Sequence, residues 1–167
     1  MKNPPETRKS QLIADLTEAR AEVIEATQAL PTDAEDVPFL GVWSAHDIVA
    51  HLVGWDHANL EAIETIRAGC LPAFYAAYDP DWRTYNAGLV ALHKGAILAE
   101  TLAAARASHQ VLLDRLAALP ADEISRDYGV RSPRGRRVTV AMLLGVEARD
   151  ERKHASQIGA FAAQGKE

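Results

Sequence analysis

The sequence predicts an all-α fold, a bundle of four long antiparallel-packed helices with a long connection between helices 2 and 3. Three observations predict it. Alanine, leucine, glutamate and arginine, all strong helix formers, dominate several stretches. Apolar residues recur at helical spacing in four long segments. Proline, glycine and aspartate clusters separate those segments, and the one conspicuous β-rich run, around Val138 to Val140, is short. The 167 residues fit a single domain, 1–167, with a core of ordinary size.

The first helix is expected from about Glu6 or Ser10 to Leu30. Leu12, Leu16, Val23 and Ile24 make its stripe, and Pro31-Thr32-Asp33 ends it. The second has the clearest start. Ser44 suits the N-cap, Asp47 places negative charge near the positive helix end, and Trp43 is placed to staple onto the first turns. It should run to about Ala68, with Gly69 as the stop. Cys70 to Pro80 is a long connection, and Asp81 to Lys94 a shorter helix. After Gly95 the third long helix spans about Ile97 to Leu119, stopped by Pro120. Turn chemistry fills Ala121 to Arg137. Thr139 then caps the last long helix, which runs to about Ala163 or Gln164.

Charge and cysteine content narrow the function classes. The net charge of −5 and pI near 5.7 argue against nucleic acid as a partner, because phosphate binding needs a concentrated positive field. The local exception, Arg131, Arg134, Arg136 and Arg137, is either a solvated basic loop or a receiver of an anionic substrate. One cysteine, Cys70, excludes an intramolecular disulfide and is expected as a small buried hydrophobe. The first residues lack a signal-peptide core and no run is apolar enough to span a membrane. A cytoplasmic protein with no membrane partner is expected.

Two segments carry candidate chemistry. In the second helix, His51 shares an inward sector with Ile48, Trp55 and Ala62, while His46 and His57 project elsewhere and should be more exposed. In the last helix, Asp150 and His154 lie one turn apart on a stripe that also holds Leu143, Glu147, Ile158 and Phe161. Burying an acid and an imidazole costs several kcal/mol unless they are paired or bind a cation. Two ligands at i and i+4 plus a third from another helix make a three-ligand site with an open position. Spacing alone equally describes an Asp150–His154 pair, or Asp150 paired with Arg149 or Lys153. Two histidines and a carboxylate suit zinc, nickel or ferrous iron; a metal-free site is the alternative. Trp55, Glu147 and Tyr128, the last in the loop leading to the final helix, are the candidate substrate-binding residues. His109 is expected on a helix surface and His93 near a helix end.

The motif Trp43-Ser44-x-x-Asp47-x-x-x-His51-Leu52-x-x-Trp55 resembles the second-helix signature of the DinB-like superfamily, which includes bacillithiol transferases and mycothiol-dependent maleylpyruvate isomerase. The last-helix signature of that group, His-x-x-x-His-x-x-Gln-Ile, is matched by Asp150-x-x-x-His154-x-x-Gln157-Ile158, with aspartate in place of the first histidine. The resemblance implies a divalent-metal site at His51, Asp150 and His154, with Glu147 and Glu151 as nearby substitute carboxylates. It also implies transfer of a low-molecular-weight thiol to a small electrophile, or a related isomerisation or hydrolysis, in detoxification. The middle of the chain, Tyr85-Asn86 and Leu102 through His109 to Leu119, is similar to the colibactin self-resistance (ClbS/DfsB) branch of this fold, whose members are not all metal-dependent. That similarity implies a metal-free alternative that sequesters a small molecule. A third reading is a regulatory bundle acting through a dimer interface. A homodimer is expected from the alanine-rich helices and family habit.

Overall fold

Among residues 4–165, which the computed structural model describes, there are six α-helices. They are α1 (Pro5–Gln28), α2 (Ala45–Arg67), α3 (Phe74–Tyr78), α4 (Trp82–His93), α5 (Leu98–Ala118) and α6 (Val140–Gln164). No strand forms among these residues; Leu40–Trp43 and Arg131–Arg137 are isolated bridges.

Local sequence sets the helix ends. Pro5 opens α1, where its missing N–H costs nothing. Ser44 and Asp47 form a reciprocal capping box: the Asp47 N–H donates to Ser44 Oγ at 3.2 Å, and the Ser44 N–H donates to Asp47 Oδ2 at 2.9 Å. Beyond α2 the backbone turns through Gly69 at φ +76°, a conformation that favours glycine. The Met142 N–H donates to Thr139 Oγ1 at the start of α6. The expected long connection after α2 contains the one-and-a-half-turn helix α3, and the shorter helix expected after it is α4.

The core falls into two apolar clusters. One holds Leu16, Ile63, Ile66, Leu112, Leu116 and Leu144; the other holds Val23, Ile48, Leu52, Leu102 and Ile158. Each long helix passes through both, and the order gives its direction. From N to C, α1 and α6 run from the first cluster to the second, whereas α2 and α5 run from the second to the first. The main packing partners are α1 with α6 and α2 with α5, completed by α1 against α5 and α2 against α6. Those two main pairs are therefore parallel, which corrects the expected antiparallel packing throughout. Parallel neighbours need a connection that returns along the bundle. The segment holding α3 and α4 makes that return, with α4 packed on α2. Gly54 permits the approach, since a Cβ there would sit 2.7 Å from Leu89 Cβ. Among the described residues no single helix is long and apolar enough to cross a membrane.

Candidate metal centre

α2 and α6 pack so that His51 meets Asp150 and His154. His51 is buried mid-helix, with its ring 4.9 Å from Trp43, 6.3 Å from Trp55 and 5.5 Å from His154, centroid to centroid. Asp150 Oδ2 lies 3.9 Å from His51 Nε2 and 3.4 Å from His154 Nε2. One potential ligand atom from each residue falls within 4.8 Å of the other two. Two atoms bound tetrahedrally to one ion at 2.0–2.2 Å would lie roughly 3.3–3.6 Å apart. The donor set therefore fits a small divalent cation with slight closure. Both separations exceed ordinary hydrogen-bond lengths.

The surrounding groups orient this set. His154 Nδ1 lies 2.9 Å from Gln157 Oε1; donation to that oxygen leaves Nε2 with a lone pair for the cluster. The motif glutamine thus has a physical role. His51 Nδ1 is buried without a hydrogen-bond partner. The Asp150 side chain is 46% exposed, so the cluster opens to solvent on that side. Burial pushes the His51 imidazolium down in pKa, more than the attraction of Asp150 restores, and so favours the neutral ring, the form able to bind a cation. Burial opposes ionisation of Asp150, but attraction to the nearby imidazoles of His154 and His51 outweighs it and holds the carboxyl well below the usual range. Glu147, one turn before Glu151 on α6, is buried. Burial, then the charges of Glu151 and Asp56, lift its carboxyl well above the usual range.

A second carboxylate–histidine group, Asp56, His109 and Glu151, also has close donor atoms, but a cation already occupies its centre. Arg20 lies between the two apolar clusters and uses all five guanidinium N–H groups. Nε and Nη2 donate to Glu151 at 2.8 and 2.9 Å, Nη1 and Nη2 donate to Asp56 at 2.9 Å, and Nη1 donates to the Ala105 carbonyl at 2.9 Å. Ser108 Oγ donates to Asp56 at 2.5 Å. This layer does not fit a metal, because the guanidinium fork holds the carboxylates. Sequence reasoning missed it. The available signal was Arg20 standing on the stripe of Leu12, Leu16 and Val23.

Several expectations are corrected by burial. His46 is not exposed: its ring bridges Asp36 at 3.0 Å and Thr101 at 2.7 Å, and is almost fully buried. His57 is exposed, stacked on His93 at 5.1 Å. His109 is buried, 3.7 Å from Asp56, because α5 turns it into the polar layer. Cys70 is exposed, since the chain leaves the core after Gly69. Of the candidate substrate-binding residues, Trp55 lies beside His51 and Glu147 on the same helix face as Asp150. Tyr128 is not brought to them. It interacts with Arg67, Glu123 and Arg126, and Arg67 is about 24 Å along α2 from His51. In the basic loop, Arg131 pairs with Asp127 at 2.8 Å.

A family model described as the DinB superfamily matches residues 15–158. No curated protein matches. Among solved structures, the crystal structure of colibactin self-resistance protein ClbS in complex with a dsDNA is similar, with a TM-score of 0.73. The two are 14% identical, and the match covers 91% of this chain and 93% of that one. At that identity the likeness is one of fold. It overturns the exclusion of nucleic acid drawn from net charge, because a protein of this fold was crystallised with a duplex. Net charge sums the whole surface, whereas phosphate contacts depend on local field.

Proposed function

Because the chain belongs to the DinB superfamily, we propose that His51, Asp150 and His154 hold a divalent metal ion and that the protein acts on a small electrophilic substrate. One observation carries this reading: three potential ligand atoms from two helices converge within 4.8 Å. Their chemistry suits zinc, nickel or ferrous iron. When bound, such an ion supplies Lewis acidity and lowers the pKa of a coordinated water or thiol. Transfer of a low-molecular-weight thiol, isomerisation or hydrolysis, serving detoxification, all use that chemistry.

The chain's own residues supply the rest. Gln157 fixes the His154 ring. Trp43 and Trp55 flank the His51 ring. The raised pKa of Glu147 favours the protonated carboxyl, the form that donates a hydrogen bond to an oxygen or leaving group seated over the cluster. The exposed edge of Asp150 marks the entrance.

A second reading, favoured by the fold likeness to ClbS, is metal-free sequestration or self-resistance, with Asp150 shared between two imidazoles. Metal analysis of protein purified without a histidine tag separates the two. Near-stoichiometric zinc, nickel or iron, lost in His51→Ala, supports the first. Metal-free protein that fails to take up any of the three leaves the second. Duplex DNA belongs among the ligands assayed. The proposal includes a homodimer, supported by the exposed apolar side chains Val42, Leu92 and Ile97. A monomer by light scattering at micromolar concentration would remove it.

A further inference from the structure

Below Trp55 lies a cavity of about 280 Å³ between α2, α3 and α4. Ala58, Ala62, Phe74, Ala77 and Tyr85 line it, with Glu61 as its charged lining residue. Its position follows from α2. At 100° per residue, Ala58 and Ala62 fall within about 20° of His51 on the helix circumference. The cavity therefore continues the stripe that carries His51. Alanine at two successive turns leaves room where larger side chains would have filled the space.

Trp55 stands between the two regions. Its ring lies 6.3 Å from His51 on one side, and 5.2 Å from Phe74 and 5.4 Å from Tyr85 on the other. The indole is pinned, because Nε1–H donates to Asn86 Oδ1 at 3.1 Å. Tyr78, 5.3 Å from Trp55, extends the aromatic wall. Aromatic edges and faces with small apolar gaps are the lining that receives a flat or compact apolar group.

We infer that this cavity receives an uncharged aryl or compact alkyl group of the substrate, while the reacting end sits at His51, Asp150 and His154. The assignment rests on the proposed reading of that cluster as the reaction centre. Ala58 is seven residues beyond His51, so the apolar group lies roughly 10 Å from the reacting atoms. Glu61 disfavours a carboxylate in the pocket. The substrate class is thus an electrophile carrying a neutral apolar tail, not a short dicarboxylate.

Benzyl alcohol is the probe, titrated into metal-free full-length protein and followed by amide chemical shifts. Saturable shifts should centre on Ala58, Ala62, Ala73 and Ala77, with a dissociation constant on the order of 1 mM for so small a ligand. Ala77→Leu and, on the other wall, Ala58→Leu should each weaken binding roughly tenfold, the loss of about 1.4 kcal/mol, without lowering the unfolding midpoint. Benzoate should bind more weakly than benzyl alcohol. Absence of saturable shifts, unchanged affinity in both leucine variants, or equal binding of benzoate would overturn the assignment. Zinc uptake, measured on the same variants, should be unchanged. Wild-type protein that binds benzyl alcohol here but takes up no metal would overturn the metal reading and leave the pocket in place.

Discussion

Replacing Arg20 tests the buried polar layer most severely. Arg20→Met removes the guanidinium and leaves Asp56 and Glu151, whose side chains are 0% exposed, without their cation. Breaking a buried ion pair typically costs about 3–5 kcal/mol, against a total domain stability of about 5–15 kcal/mol. The stranded carboxylates have one escape, which is protonation. Starting from an ordinary pKa near 4, that costs about 4 kcal/mol per group at pH 7 but only about 1.4 kcal/mol at pH 5. The loss should therefore be about 4–5 kcal/mol at pH 7 and about 2 kcal/mol smaller at pH 5. In the wild type the sign is opposite. Burial works against Asp56, but His109, Arg20 and Ser108 together hold its carboxyl below the usual range. Its stabilisation is present above about pH 4 and is lost as pH falls below that. Guanidinium chloride unfolding at both pH values measures the difference. Arg20→Lys should recover only part of the loss, since one ammonium cannot reproduce five directed donors. Arg20→Met combined with Asp56→Asn and Glu151→Gln should recover about 2 kcal/mol by removing the stranded charges. A loss under about 1 kcal/mol, or one independent of pH, would refute the reasoning.

Metal titration should show that His51→Ala and His154→Ala abolish tight divalent binding, that His57→Ala does not, and that Asp150→His keeps or strengthens it. His46→Ala should leave metal affinity intact while lowering stability by about 1–3 kcal/mol, because it removes a buried ring and its hydrogen bond to Thr101. Glu147→Gln should stabilise the protein at pH 7 and flatten its pH profile. With a folded pKa raised by burial, the Glu147 contribution to wild-type stability falls as pH rises above about 4.3, by at most about 1.4 kcal/mol per pH unit, until Glu147 ionises in the folded state. Thermal unfolding of Ser44→Ala should show a loss of about 1 kcal/mol from the α2 cap. Gly54→Ala should be destabilising by about 1–2 kcal/mol in chemical unfolding despite alanine's helix propensity, because its Cβ meets Leu89 at 2.7 Å; a more stable variant would contradict the close α2–α4 approach.

Local chemistry in the sequence was enough to determine the four long helices, though not α3. Ser44 with Asp47, Thr139, Pro120 and Gly69 act within a turn of their own positions, so their effect needs no knowledge of the rest of the chain. The pairing of Asp150 with His154 is equally local, since i and i+4 share a face. Which helix faces which was decided only by tertiary packing. The helical wheel shows that His51 points inward but not that α6 is what it meets. It likewise cannot show that α2 and α5 run parallel. Polar residues on apolar stripes were the hardest to read. Arg20, His46 and His109 are buried because of partners supplied from elsewhere: Arg20 reaches Asp56 36 positions away and Glu151 131 positions away. A charge on an inward stripe is unfavourable by itself and favourable once its partners arrive. Helical periodicity extends over a few residues, whereas the energy that buries these groups comes from contacts that exist only after the helices have packed.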